Sequence, residues 1–355
     1  MSRVLFTGGG TAGHVIPAIP VMRKLAQAGV EIAFVGSHSG LEEDLLRDEK
    51  LRYFGISSGK LRRYFSLQNV LDVFRVLLGV VNALTVIARF RPDVVFSKGG
   101  FVSFPVVFAA WLWRIPVVAH ESDLTPGLAN RLALPFVRTL CVNFPTTHPA
   151  SFAGKVLYTG TPVRPALVNG DANSGRRLLG IEPSKPVLLV TGGSLGADAI
   201  NATVRRSLPE LTAHWHVVHV CGSGKRAEIT NPHYTQFEYV RDEWGDLLAA
   251  ADLVVSRAGA NTLYELLLLG KANLLVPLSK QASRGDQIEN AEYAASLGFS
   301  RVIAEEDLTT TTLVSTVTEM ATELDGLHRA LAAFVAPDSV ELISAEICSH
   351  LPSHD

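Results

Sequence analysis

Cysteine is scarce: there are three in 355 residues, Cys141, Cys221 and Cys348, far apart and without a C-x-x-C pair. So odd and scattered a set excludes a disulfide framework and a cysteine zinc site, and suits buried thiols in a reducing cytoplasm. An excess of charge is missing too. Lys and Arg number 32 against 34 Asp and Glu, for a net charge of −2, so no global field draws the chain to nucleic acid and no such partner is expected. No leader is expected, because one basic residue precedes an apolar run that stops at Thr7 before glycines, too short for a signal peptide. Long apolar runs are nearly absent. The segment closest to a membrane span, 67–87, carries Asp72 and Arg75. A central charge costs roughly 2.5–3.5 kcal/mol on insertion scales, so spanning is not expected.

What the sequence does have is length, apolar content (47%) and glycine in one recurring setting. A chain of this size exceeds most single cores, which points to two domains. Short apolar runs at 4–7, 31–36, 93–97, 116–121 and 139–144 alternate with amphipathic stretches, and the pattern restarts at 186–193, 216–222, 237–240, 252–257 and 272–278. Such alternation reads as βαβ units on parallel sheets, so the fold class is α/β, two doubly wound domains in tandem. A weak repeat agrees: VLFTGGGTAGH (4–14) and VLLVTGGSLGAD (187–198) are both strand, glycine turn, helix. The proline-rich join TGTPVRPAL (159–167) marks the linker. Boundaries are drawn at 1–163 and 164–337, with 338–355 expected to return to the first domain and a ligand cleft expected between the halves.

Gly8, Gly10 and Gly13 satisfy the G-x-G-x-x-G dinucleotide fingerprint. That fold also wants an acid on the ribose at the end of the second strand, and here the strand ends in Gly36, Ser37 and His38, with no acid until Glu42. That absence counts against the dinucleotide reading. What survives is a glycine turn with free N–H groups and a helix N-terminus, a place for some phosphate. Three further stretches share the logic, at 97–103, 191–197 and 256–262, although any one alone is also an ordinary tight turn. His14 is read as the start of a helix, held neutral there and able to act as a base, or else as a capping or buried histidine. A helix beginning near Gly259 puts Glu265 in its second turn, where a carboxylate can accept both ribose hydroxyls or simply face solvent. Beyond it, Asp286, Gln287 and Asn290 in PLSKQASRGDQIENA (277–291) can read sugar hydroxyls, or form a surface loop.

Taken together, GGGTAGHVIPA, SKGGFVSFP, HESDLTPGLAN, TGTPVR, GGSLGA, SRAGANTLYE and GDQIENA, in this order over essentially the whole chain, resemble the MurG-type N-acetylglucosaminyltransferases of peptidoglycan synthesis. The resemblance implies a GT-B fold and an inverting transfer of GlcNAc from UDP-GlcNAc to an undecaprenyl-diphosphate-linked muramoyl-pentapeptide. It implies that Gly192, Gly193, Ser194 and Gly196 hold the UDP diphosphate, with Arg164 near the nucleotide and the Val240 backbone on the uracil. Glu265 then takes the ribose, and Asp286 with Gln287 the sugar. It also implies that Gly9, Gly10, Thr11, Ala12 and Gly13, with Lys98, Gly99, Gly100 and Ser103, hold the acceptor diphosphate. His14, Glu121, Asp123 and Asn130 stand beside them, His14 as the base. Two positions depart from the best-known members, which carry Gln at Asp286 and Asn at Asp123. No D-x-D pair ends a strand, so neither metal nor other cofactor is expected.

A lipid-linked acceptor brings a membrane surface with it. Lys60, Arg62 and Arg63 precede a segment, apolar nearly all round, that includes Phe74, Leu77 and Leu78; basic residues beside such a helix suit an anionic surface. The expected location is the cytoplasmic face of the cell membrane, as a peripheral protein, with cell-wall synthesis proteins as further partners. The same helix also reads as a buried core helix. Other GT-B transferases, acting on another lipid or a natural product, and NDP-sugar 2-epimerases share the fold and stay open as alternatives, as does an inactive scaffold.

Overall fold

The computed structural model describes residues 1–59, 67–150, 152–181, 185–193 and 196–352, with backbone alone for 67–71. The chain divides into two compact units, Met1–Pro162 with Pro337–Asp355, and Val163–Ala336.

The first unit holds seven strands: β1 (Arg3–Thr7), β2 (Glu31–Ser37), β3 (Arg52–Ile56), β4 (Val94–Ser97), β5 (Val117–Glu121), β6 (Thr139–Val142) and β7 (Lys155–Tyr158). They form one parallel sheet in the order β3-β2-β1-β4-β5-β6-β7. The central strands are buried on both faces, as their unbroken apolar runs require. Helices α1 (Ala18–Gln27), α2 (Glu42–Leu46), α3 (Leu67–Phe90), α4 (Ser103–Leu112) and α5 (Leu128–Ala133) follow the strands.

In the second unit come α6 (Pro165–Val168), α7 (Ala172–Leu179), β8 (Val187–Thr191), α8 (Asp198–Arg206), α9 (Leu208–His214), β9 (His216–Val220), β10 (Tyr234–Phe237), α10 (Trp244–Ala250) and β11 (Leu253–Ser256). The unit continues through α11 (Ala260–Leu268), β12 (Asn273–Leu275), α12 (Asp286–Ser296), β13 (Arg301–Val302) and α13 (Thr310–Leu331). Its parallel sheet runs β10-β9-β8-β11-β12-β13. The last helix, α14 (Ser339–Cys348), returns to the first unit. There Ile343 and Ile347 enter the core beside Val4 and Phe6, and the buried Glu346 accepts from Thr139 Oγ1 at 2.7 Å and Lys155 Nζ at 2.5 Å.

The doubly wound reading holds in both units, with three differences in detail. Strands β3, β7 and β13 lie at sheet edges, carry exposed or polar positions, and so lack the apolar run that announces a central strand. The expected strand at 237–240 is β10, ending at Phe237, and Val240 lies in the loop beyond it. His14 does not open a helix. It closes a short 3₁₀ turn, Ala12–His14, and α1 waits until Ala18 because Pro17, lacking an N–H and fixing its own φ, serves as the cap.

Helix α3 turns Asp72, Gly79 and Asn82 inward. Asp72 is buried and paired with Arg75 at 3.0 Å, Gly79 lies against the Ser57 carbonyl, and Asn82 Oδ1 accepts from Ser57 N. Val73, Phe74, Leu77, Leu78 and Val81 are about half exposed or more (48–64%), while Ala83, Val86, Ile87 and Phe90 join the core. The stretch Asp72–Phe90 is long and apolar enough to cross a membrane by length and composition, but its second half packs into a globular core. Trp111 and Trp113, on and just after α4, are also about half exposed, and Trp111 stacks on Phe108. Lys60, Arg62 and Arg63 lie outside the described residues.

Candidate functional site

In a doubly wound sheet the ligand crevice opens where the strand order reverses, outside the carboxyl ends of the two strands there. The reversals fall between β1 and β4 in the first unit and between β8 and β11 in the second. The four glycine turns of the sequence follow these four strands. Each unit therefore carries a pair of turns side by side at its switch point.

In the first unit the pair is interlocked. Gly9 N–H donates to the Gly99 carbonyl at 3.3 Å, and a Cβ on Gly100, at φ +86°, would lie 2.0 Å from the Gly9 oxygen. His14 Nδ1 lies 3.1 Å from both Thr11 Oγ1 and the Gly9 carbonyl oxygen. A carbonyl only accepts, so Nδ1 carries the proton and Nε2 is the basic nitrogen. This contact selects the tautomer, and no α-helix starts at His14 to act on the ring.

Several residues expected at the acceptor site are bonded to the chain beneath the paired turns. Lys98 is buried; its ammonium donates to Ser122 Oγ and to His120 Nδ1, the latter at 2.9 Å. Burial lowers it to about 8, against the upward pull of Glu121 and Asp123. The same burial holds His120 well below its usual value, and its Nε2–H donates to Gly160 O at 2.8 Å. Glu121 is also buried and its two oxygens accept from Asp123 N, Gly127 N and Asn130 Nδ2, at 2.8–3.0 Å. It shapes the 122–127 loop. Ser103 Oγ bonds back to the Gly99 carbonyl at 2.7 Å. Beside Gly10 opens a cavity of about 380 Å³ whose lining includes Ser37, Glu42, Ser58, Asp72, Arg75 and Phe101.

The second unit holds a cavity of about 290 Å³ at its switch point, lined by Gly192, Gly193, Gly196, Ser256, Arg257, Gly259, Thr262, Leu278 and Gln287. Behind it, buried His219 bonds Tyr234 OH and Asn201 Oδ1, both at 2.8 Å, which ties α8 to the sheet below the glycine turn. Glu265 sits in the second turn of α11, as the spacing predicts. It is partly covered, and the dense packing round it pushes its carboxyl up to about 7, with Arg164 pulling the other way. Gln287 Oε1 accepts from Leu278 N at 3.0 Å, facing the cavity. Asp286, the first residue of α12, pairs with Arg284 at 3.2 Å, so the carboxylate that departs from the resemblance brings its own counter-charge. Asn290 is fully buried, with Nδ2 donating to Ala258 O at 3.2 Å, and it fixes the turn after β11. Ser194 lies outside the described residues. A larger cavity, about 610 Å³, opens nearby and is lined instead by Lys280, Glu292, Glu305 and Glu306 among others.

Sequence reading missed two of these residues. Arg257 lines the switch-point cavity with its guanidinium on the Val276 carbonyl, at 3.1 Å, and on Glu305. Burial, the largest single effect, would raise Glu305, but the bonds from Arg257 and Ser279 together with the Arg257 charge outweigh it, and the carboxyl stays below its usual value. The signal was there, a lone Arg inside a glycine turn. Glu42 was noticed only as an acid that comes too late for a ribose.

Comparison with known proteins agrees with this geometry. Residues 4–142 match the glycosyltransferase family 28 N-terminal domain and 187–341 its C-terminal domain. A Legionella pneumophila (strain Paris) protein, UDP-N-acetylglucosamine--N-acetylmuramyl-(pentapeptide) pyrophosphoryl-undecaprenol N-acetylglucosamine transferase, is 47% identical over 347 residues, 97% of this chain and 96% of that one. The chain belongs to this transferase family. Its namesake from Clostridium kluyveri is 50% identical over 311 residues, covering 87% of this chain and 88% of that one. Acinetobacter baumannii MurG superposes with a TM-score of 0.77 at 26% identity, over 98% of this chain and 100% of that one, and the fold is GT-B. A UDP-GlcNAc 2-epimerase from Neisseria meningitidis, 15% identical with a TM-score of 0.68 over 99% of each chain, shares the fold alone. The two family matches thus span both pairs of glycine turns.

Proposed function

We propose that this chain is an inverting glycosyltransferase that moves GlcNAc from UDP-GlcNAc to an undecaprenyl-diphosphate-linked muramoyl-pentapeptide, lipid I to lipid II, in peptidoglycan synthesis. The observation that carries it is the identity of 47–50% with named transferases, spread over both units. Each unit then takes one substrate.

In this reading the second unit holds the donor. The diphosphate sits against the glycine turn after β8, at the start of α8, whose first N–H groups stabilise the charge that grows on UDP as the C1–O bond breaks. Glu265 accepts from the ribose hydroxyls with Arg164 beside it, Val240 borders the uracil, and Gln287 with the Arg284-paired Asp286 contacts the GlcNAc. The first unit holds the acceptor through the 9–13 and 99–103 turns. His14 Nε2 takes the proton of the attacking hydroxyl as its oxygen bonds C1 from the face opposite UDP. Lys98, Glu121 and Asn130 act from beneath, by holding the turns and placing a cation under them.

The test is UDP release from UDP-GlcNAc, with and without a short-chain polyprenyl-diphosphate muramoyl-pentapeptide, with the lipid product weighed. Acceptor-dependent release with a gain of one HexNAc supports the reading. Donor binding without transfer redirects the search to another acceptor, and no binding favours a scaffold.

We also infer peripheral attachment to an anionic membrane surface, supported by the outward apolar row on α3. The double substitution Phe74→Asp, Leu77→Asp is expected to cut sedimentation with anionic vesicles by about tenfold or more, each charge costing on the order of 2 kcal/mol in apolar surroundings. Turnover on a short-chain, detergent-soluble acceptor stays at the wild-type level. Unchanged vesicle binding would remove the attachment argument.

A further inference from the structure

We propose that Glu42 is a positioning residue of the transfer, whose carboxylate beneath the first glycine turn holds the Gly9 carbonyl on the His14 ring and so fixes which ring nitrogen is basic. This rests on the reading of His14 as the base.

Glu42 opens α2 and has no exposed surface. Its Oε1 accepts from Gly10 N–H at 2.8 Å and its Oε2 from Ser37 Oγ at 3.0 Å. The main chain is cut to fit it: a Cβ on Gly9 would lie 2.2 Å from Oε1, and one on Gly40 1.7 Å from Oε2. Glycine at 9 and 40 therefore makes room for this side chain. The Gly10 amide, which a dinucleotide fingerprint would give to a phosphate, is already spent on it.

The consequence follows from one peptide plane. Gly10 N–H and Gly9 C=O belong to the same unit, which is trans, so the two bonds point in opposite directions. Drawing the N–H down onto Glu42 turns the carbonyl toward His14 Nδ1, 3.1 Å away. Gly10, at φ +90°, has the freedom to let this plane rotate if the carboxylate is removed. A rotated plane takes the Gly9 carbonyl away from Nδ1 and leaves there the Thr11 hydroxyl, which can donate as well as accept, so the ring can then take the other tautomer.

The experiment pairs kinetics with ¹⁵N-histidine NMR on the full chain, the His14 signal being assigned by its loss in His14→Ala. Glu42→Ala is expected to lower kcat by about 10²-fold, with KM for UDP-GlcNAc within twofold. The His14 pattern should shift from Nδ1–H toward a tautomer mixture. Glu42→Asp, too short to reach Gly10 N–H, behaves alike and carries the test should the alanine variant not fold. Glu42→Gln, whose carbonyl can still accept from Gly10, recovers most of the turnover. A folded Glu42→Ala or Glu42→Asp with wild-type kcat, or with lowered kcat and an unchanged His14 pattern, overturns the proposal. The tautomer readout needs no turnover, so failure of the His14 reading itself, seen as full activity in His14→Ala, is distinguished from failure of the Glu42 inference.

Discussion

Replacing His14 by alanine is expected to lower kcat for acceptor-dependent UDP release by about 10²–10⁴-fold, the range for loss of a general base. That corresponds to roughly 3–5 kcal/mol of transition-state stabilisation. KM for UDP-GlcNAc should stay within about twofold, because the residues that would hold the donor belong to the other unit of the chain. The argument rests on the tautomer. Nδ1 faces a backbone oxygen that cannot donate, so in the neutral ring the lone pair belongs to Nε2. His14→Asn keeps an N–H near the Nδ1 position but supplies no basic nitrogen, and should be as slow as the alanine variant. If either substitution instead raises KM for the acceptor and spares kcat, His14 anchors the acceptor diphosphate and the base lies elsewhere.

Much of this site was legible in the sequence because strand ends and glycine turns announce themselves locally. VLFT, VVFS, VLLVT and LVVS are buried on both faces and read as apolar runs, and the turns that follow them fall at the two switch points. Spacing along the chain says which residues reach a strand end. It does not say whether a side chain then turns toward a ligand or folds back beneath the turn. Lys98 and Glu121 look like ligand contacts in one dimension and become the floor in three, because partners from other loops, His120 and Ser122 for the first and Gly127 and Asn130 for the second, claim their polar atoms. Asn290 likewise bonds Ala258 O. Glu42 was invisible for a related reason. Its partner, Gly10, is 32 residues away on the neighbouring strand's turn, and no local pattern marks a carboxylate that serves a backbone amide. Helix α3 shows the opposite failure: its composition fits a core helix and an outward apolar face equally, and only the inward placement of Asp72 and Gly79 tells them apart.

Glu265→Gln should make the protein more stable and worse at binding its donor. In the folded chain the Glu265 carboxyl is raised to about 7 from an ordinary value of 4.5, mainly by burial and against the pull of Arg164. A raised acid favours its neutral form in the folded state, so the cost of ionising it is absent below the unfolded value, grows as pH climbs from about 4.5 to 7, and is constant above. At about 1.4 kcal/mol per unit, that cost is roughly 3 kcal/mol at most at pH 8. Glutamine removes it. Melting followed at several pH values should therefore show the variant several degrees above wild type at pH 8, with the gap closing toward pH 5. Donor affinity should move the other way. A carboxylate accepts from two ribose hydroxyls with charge-assisted bonds, each worth about 1.5–3 kcal/mol, whereas the amide offers one oxygen, so UDP-GlcNAc binding should weaken by about 10–100-fold. Wild-type affinity should also tighten as pH rises through about 7, as the carboxyl ionises, and the variant should be flat there. A variant that melts lower at pH 8 would refute the burial argument, and one with normal donor affinity would refute the ribose assignment. A higher melting point at pH 8 together with weaker donor binding would mean that the fold tolerates an unfavourable carboxylate in α11 because the donor, on arriving, supplies the hydrogen bonds that water no longer can.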